Sequence, residues 1–263
     1  MPLIPITTID DPRLLSYREL SQRNLTRQSG LFIAEGEKVV ERLIASDFEV
    51  ASLLAEPAFA ERYAPQVPSE TPIYVVSRDQ LEATIGFNFH RGILACGRRR
   101  PKPRIPEFVA QLAGTKSTVV VCPNVHDPTN LGSIIRSTAA FGCDAILLGS
   151  LCADPFSRRV LRVSMGTALH LPILESSDLL ADLGALAAEH YELVATVIDS
   201  TAEPLATAQR TSRLALLLGS EAHGLGSQWL NLAHRRVTIP MHVGIDSLNV
   251  SVAAAVLLYH FCS

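Results

Sequence analysis

Residues Thr118-Val119-Val120-Val121-Cys122-Pro123-Asn124-Val125-His126-Asp127-Pro128-Thr129-Asn130-Leu131-Gly132 read as a buried strand, a polar loop and the first turn of a helix. The unbroken apolar run of β-branched residues suits a strand covered on both faces, as in a parallel sheet. A helix is expected from Asn130 to Phe141, carrying Arg136, with Asp127 and Pro128 in the turn ahead of it. Working outward, a strand at Ala145 to Leu148 follows, then a helix at Leu179 to Ala188 and strands at Leu193 to Ile198, Leu214 to Gly219 and Val237 to Ile239. An Ala-rich helix closes the chain from Ser247 to Phe261. Strands alternating with helices predict an α/β fold around a parallel sheet.

Upstream, Ser16 to Arg27 is helix-compatible, Leu31 to Ala34 is strand-like, and Val39, Val40, Leu43 and Ile44 share one helical face. With further strands at Val50 to Ala55, Ile73 to Val76 and Gly92 to Cys96, these predict a small α/β/α unit. Between the two regions Arg98, Arg99, Arg100, Lys102 and Arg104 are interleaved with Pro101, Pro103 and Pro106, a pattern that reads as an extended linker. The expected division is a first domain over 1–100, a linker over 101–114 and a second domain over 115–263.

The 263 residues are 48% hydrophobic and 19% charged, the composition of a globular chain rather than a disordered or fibrous one. No basic start leads into an apolar core at the amino terminus, and no apolar run could span a bilayer, so a cytoplasmic protein without membrane contact is expected. Five cysteines, Cys96, Cys122, Cys143, Cys152 and Cys262, are spaced too widely for a Cys-x-x-Cys metal or redox motif, so reduced thiols and no metal are expected. The net charge is −3, but residues 1–106 hold 14 Lys/Arg against 13 Asp/Glu while 107–263 hold 9 against 13. A polyanionic partner would therefore have to be met by a local basic footprint, with Arg98, Arg99 and Arg100 the densest candidate.

Ligands of α/β sheets bind beyond the carboxyl ends of strands, which singles out three loops. These are Pro123 to Gly132, Gly219-Ser220-Glu221-Ala222-His223-Gly224-Leu225-Gly226, and Pro240-Met241-His242-Val243-Gly244-Ile245-Asp246-Ser247-Leu248-Asn249-Val250-Ser251. None contains a dinucleotide fingerprint or a Gly-Lys-Ser/Thr phosphate loop. They offer backbone, amide and hydroxyl groups that fit an uncharged hydrogen-bonding edge such as adenine.

The order Asn124-x-x-Asp127-Pro128-x-Asn130-x-Gly132-x-x-x-Arg136, then Gly219-x-Glu221-x-x-Gly224, then Ile239-Pro240-Met241 with Ser247-Leu248-Asn249-Val250-Ser251, resembles the three motifs of the SpoU (TrmH) family of RNA ribose methyltransferases, in the SPOUT superfamily. The likeness covers about residues 117–262. Upstream, Phe32 to Val40 and His90 to Ile93 resemble the family's RNA substrate-binding domain, which is similar to small ribosomal proteins. The resemblance implies S-adenosylmethionine as cofactor, methyl transfer to a ribose 2′-hydroxyl of structured RNA, ribosomal RNA before transfer RNA, a trefoil knot in the C-terminal domain, and a homodimer. It also implies that Leu218, Gly219, Ile239, Leu248 and Asn249 hold the cofactor, and that Arg136, Asn130, Glu221, Ser247 and Asn249 form the catalytic set. A noncatalytic RNA-binding protein that keeps the fold is the rival reading.

Each residue also has a plainer role. Asn124, Asp127 and Pro128 shape a turn and cap a helix as readily as they touch substrate. Ser247 reads as the N-cap of the last helix, and Glu221 as a hydrogen-bond anchor. His126 and His223 read as loop residues, and the basic run either touches RNA or is a solvated spacer. Arg136 as a free guanidinium cannot be a base, because its pKa exceeds about 12; an orienting role is expected.

Overall fold

A computed structural model describes residues 3–18, 29–112, 116–220, 223–241 and 247–262. The chain divides into two compact units, and Phe156–His170 groups with the first although it lies beyond the start of the second.

The first unit is built on a five-stranded sheet of β1 (Leu3–Pro5), β2 (Leu31–Glu35), β3 (Glu49–Ala55), β4 (Ile73–Val75) and β5 (Ile93–Arg98), in the order β1-β4-β3-β5-β2. The β1, β4 and β3 strands run parallel, with Ile73 opposite both Leu3 and Leu53, while β5 is antiparallel to both β3 and β2. Helices α1 (Glu37–Ile44), α2 (Pro57–Tyr63) and α3 (Arg78–Ile85) connect them. Ser77 and Gln80 form a reciprocal capping box at the start of α3, and Gly86, at φ +82°, ends it. The core gathers Leu14, Ile33, Leu54, Leu81, Ile85, Phe89 and Leu94. Tyr17 is fully buried there, and its hydroxyl donates to the Ser52 carbonyl at 3.0 Å; burial pushes its pKa well up. Of the helix expected over 16–27, residues 19–28 lie outside the described ones, and Pro12–Tyr17 form a 3-10 helix.

The second unit holds a seven-stranded sheet in the order β10-β12-β9-β11-β6-β7-β8, with every pair parallel. Its strands are β6 (Ser117–Cys122), β7 (Ala145–Leu148), β8 (Ile173–Glu175), β9 (Glu192–Thr196), β10 (Glu203–Pro204), β11 (Arg213–Leu217) and β12 (Arg235–Thr238). On one face Val119, Val121, Leu147, Leu193 and Leu217 pack with Leu183 and Leu186 of α7 (Leu179–Ala188). Val120, Ile146 and Leu216 alternate with them, point to the other face and are buried too, so both faces are covered. Helix α9 (Val250–Cys262) packs on α5 (Pro128–Ala140), and a short α8 (Ser227–Leu232) precedes β12.

Two features differ from the sequence reading. Arg98 is the last residue of β5, paired with Leu31 and Glu49, so the stretch outside the strand begins one residue later, at Arg99. Within the expected linker, α4 (Ile105–Ala110) buries Ile105 and Val109 in the core of the second unit, because the proline at its first turn starts a helix instead of prolonging an extended chain. The Phe156–His170 segment contains α6 (Arg158–Val163), for which local patterning gave no signal.

Candidate functional site

The described parts of the three motif loops follow β6, β11 and β12, at the carboxyl ends of these parallel strands. Asp127 caps α5: its carboxylate accepts from the backbone N–H of Thr129 at 2.5 Å and of Asn130 at 3.3 Å, with Pro128 in the first turn. This supports the plainer reading of Asp127 and Pro128. The Asn124 side-chain oxygen is buried and has no hydrogen-bond partner among the described residues. An orphaned buried acceptor costs free energy that a ligand donor can recover.

The last helix is capped by Asn249, not by Ser247. The Asn249 side-chain oxygen accepts from Ser251 N–H at 2.9 Å and Ser251 Oγ at 2.7 Å, and its carbonyl accepts from Val252 and Ala253. Both residues can cap, and the choice falls on the one immediately before the first helical turn. The other end of the same amide, Nδ2, donates to Asn130 Oδ1 at 2.9 Å. One side chain thus caps α9 and ties its start to the start of α5, so two helix N-termini, each with a partial positive charge, are held together. Asn249→Asp keeps the cap and removes the donor to Asn130, whereas Asn249→Ala removes both. We expect the alanine variant to lose about 1 kcal/mol of stability and the aspartate variant to keep nearly the parent denaturation midpoint, as read by urea unfolding.

Arg136 stands two turns into α5, exposed, and makes no hydrogen bond or ion pair with a described residue. Ser247 is exposed next to the Asn249 cap, Leu248 is half-buried, and Glu221 lies outside the described residues. His126 and His223 are exposed; the His223 backbone N–H donates to Ser220 Oγ at 3.2 Å, which makes it part of a turn.

After β11, Leu218 is buried and its N–H donates to the Val121 carbonyl at 2.9 Å. Gly219 follows, and Ser220 and Gly224 exchange two backbone hydrogen bonds of 3.0 Å across the loop. That closure presses the chain onto Gly219: a Cβ there would stand 2.6 Å from the Gly224 carbonyl carbon and 2.8 Å from the Leu225 nitrogen. Only glycine fits. Ile239, half-buried, follows β12. Because β9 lies between β11 and β12, Leu218 and Ile239 flank a gap two strand spacings wide, roughly 10 Å. Thr196 at the end of β9 forms the floor, its hydroxyl donating to the Leu217 carbonyl at 2.8 Å. Sequence reasoning missed Thr196, since nothing local distinguishes it.

The first unit holds a second concentration of polar chemistry. Glu35, at the end of β2, is only 4% exposed and meets Arg158 at 3.0 Å, Arg162 at 3.6 Å and Arg91 at 3.9 Å. Three guanidinium groups around one carboxylate leave an excess of positive charge. Gly36, at φ +84°, then turns the chain into α1, whose start has no side-chain cap. A cavity of about 440 Å³ opens beside it, lined by Lys38, Phe59, His90, Arg91 and Arg162 among others. The two upstream segments singled out in the sequence, Phe32 to Val40 and His90 to Ile93, meet here. Glu35→Gln removes the buried carboxylate that these guanidinium groups share, and we expect a lowered denaturant midpoint in urea unfolding.

The basic triplet is occupied within the first unit. Arg98 pairs with Glu49 at 3.0 Å, Arg100 with Asp47 at 3.4 Å, and the Arg99 guanidinium lies 4.8 Å over the Phe156 ring. The two ion pairs are more than half exposed and therefore weak, so a phosphate can replace either acid.

Against known families, residues 117–259 match the SpoU rRNA Methylase family and residues 11–85 match the MRM3-like substrate binding domain. The chain belongs to the SpoU rRNA methylase family. Among its relatives, an uncharacterized tRNA/rRNA methyltransferase of Mycobacterium bovis is 39% identical, over 95% of this chain and 88% of that one. The Bacillus subtilis 23S rRNA (guanosine(2553)-2′-O)-methyltransferase RlmP is 27% identical, over 97% and 98%. The S-adenosylmethionine-bound rRNA methyltransferase of Sinorhizobium meliloti superposes with a TM-score of 0.87 at 23% identity, covering 98% of this chain and 97% of that one, which establishes a shared fold. The expected α/β fold, with its parallel sheet and upstream substrate-binding domain, is that of the SpoU family.

Proposed function

We propose that this SpoU-family protein transfers a methyl group from S-adenosylmethionine to a ribose 2′-hydroxyl of ribosomal RNA. The observation that carries the reading is the meeting of Asn130, on the helix that also carries Arg136, with Asn249, at the sheet edge where the loop closes on Gly219. Leu218, Gly219, Ile239 and Leu248 would hold the cofactor, with Asn249 at its border. When bound, S-adenosylmethionine supplies a methyl group made electrophilic by its sulfonium. The protein's part is orientation: Asn130 and Asn249 offer amide groups to the ribose, and Arg136 holds the adjoining phosphate and stabilises the negative charge that grows on the 2′-oxygen. Ser247 and Glu221 complete the set that the motifs imply. Ribosomal RNA is favoured by the likeness to the Bacillus enzyme and by the match of the upstream region to a substrate-binding domain.

The reading includes a first domain over 1–100 that recruits RNA, a C-terminal trefoil knot and a homodimer acting in the cytoplasm. The place of β12 between β9 and β10, with the chain then returning to α5, supports the knot. Val252, Val256 and Tyr259 support the dimer: they form an exposed apolar stripe on α9, beside the Asn249 cap. Val256→Glu should convert the dimer to a monomer in analytical ultracentrifugation; a wild-type protein that sediments as a monomer overturns this part. Replacing Arg98, Arg99 and Arg100 together should flatten the slope of log RNA affinity against log salt by up to about 2, with S-adenosylhomocysteine affinity unchanged. The substrate class is tested by mapping 2′-O-methyl nucleotides in cells with and without the gene. One site should vanish from ribosomal RNA; a loss confined to transfer RNA refutes the assignment.

A further inference from the structure

Cys143 follows α5 in the turn ahead of β7, and Cys262 is the last residue of α9. Although 119 residues apart, their sulfurs stand 3.9 Å from each other. The pair is asymmetric. Cys143 is buried and has Asp144 next to it, whose carboxylate is fixed by Ser117 Oγ at 2.9 Å and the Thr118 N–H at 2.8 Å. Cys262 is half-buried, lies 3.8 Å from Thr118 Oγ1, and has Arg210 beside it. Arg210 is held by a 2.9 Å bond from its terminal nitrogen to the same Thr118 hydroxyl, and its Nε is buried with no partner among the described residues. The hydrogen bond from Cys143 lowers the pKa of the Cys262 thiol, helped by Thr118 and Arg210, while Cys143 is pushed up. A half-buried cysteine with its thiol held down, 3.9 Å from a buried one, is the arrangement of an attacking and a resolving cysteine.

We propose that Cys143 and Cys262 are a site of reversible oxidation, forming an intramolecular disulfide when the protein meets a hydroperoxide. The Cys262 thiolate attacks one peroxide oxygen: a sulfur–oxygen bond forms, the oxygen–oxygen bond breaks, and the alcohol leaves after taking a proton. Cys143 then attacks the sulfenic sulfur of Cys262; the disulfide forms, the sulfur–oxygen bond breaks, and the hydroxide departs as water with the Cys143 proton. Two thiols lose two electrons and one hydroperoxide gains them. The sulfurs must close from 3.9 Å to about 2.0 Å, a movement within reach of side-chain rotation. The bond staples the end of α9, whose first turn is capped by Asn249, to the turn ahead of β7. Cys96, also buried, has its thiol pushed up to about 11, chiefly by burial, and serves as the unreactive internal standard.

The test treats the full-length protein with a slight excess of hydrogen peroxide and follows it by intact-mass and peptide mass spectrometry. The proposal expects a loss of two hydrogens, a linked peptide joining Cys143 to Cys262, and full reversal by dithiothreitol. Cys143→Ser should give no link and at least a fivefold rise in dimedone-trapped sulfenic acid at Cys262. Cys262→Ser should leave Cys143 unoxidised under the same conditions. S-adenosylhomocysteine binding checks that each variant is folded, and the wild-type peptide map stands without either variant. No Cys143–Cys262 link in the wild type, or oxidation of Cys262 no faster than of Cys96, overturns the proposal.

Discussion

Arg136→Ala should lower single-turnover methyl transfer by at least about two orders of magnitude while leaving S-adenosylhomocysteine affinity and the melting temperature nearly unchanged. The side chain is exposed and makes no hydrogen bond or ion pair with a described residue, so its removal leaves no buried group stranded. Its loss is felt only where the substrate's phosphate and developing oxyanion would have met it. Arg136→Lys should recover only part of the rate, since an ammonium supplies charge without the planar fork. A fall in rate of less than about fivefold would reduce Arg136 to a surface residue of α5. A collapse in melting temperature would make it structural.

Gly219→Ala should act on the other half of the reaction. Its Cβ would stand 2.6 to 2.8 Å from backbone atoms of Gly224 and Leu225, and backbone cannot swing aside as a flexible side chain does. The loop must open, which breaks the paired Ser220–Gly224 hydrogen bonds and moves the chain that follows Leu218. Calorimetry should show S-adenosylhomocysteine affinity reduced by at least about tenfold, or 1.4 kcal/mol. Intact affinity would place the cofactor away from this loop. The two variants are separable in kind, one sparing cofactor binding and the other removing it.

The strands of the second sheet were legible because Val119 to Val121 and Leu214 to Leu217 are long apolar runs bounded by loop residues. Strands β1, β8 and β10, of two or three residues, are too short to set up a period and exist because a neighbour pairs with them. The site divided in the same way. Asp127 carried a cap signal with the proline beside it, whereas the cap of α9 was expected on Ser247 and falls on Asn249, because the helix starts at Val250. What the sequence hid is non-local: Arg158 and Arg162 reach Glu35 from 123 and 127 positions away, and Cys262 reaches Cys143 from 119. Such pairs leave no trace in local pattern, because their spacing is set by the tertiary fold and not by a helical or strand period.

The most direct measurement is the chemical position of the transferred methyl. Purified protein is incubated with methyl-labelled S-adenosylmethionine and ribosomal RNA from cells lacking the gene, and the product is hydrolysed in alkali. Methylation of a 2′-hydroxyl removes the nucleophile that cleaves the neighbouring phosphodiester, so the label should appear in a single alkali-resistant dinucleotide, and Arg136→Ala should abolish it. Label released as a methylated base, or no label in RNA from a protein that binds both S-adenosylhomocysteine and RNA, would contradict the account.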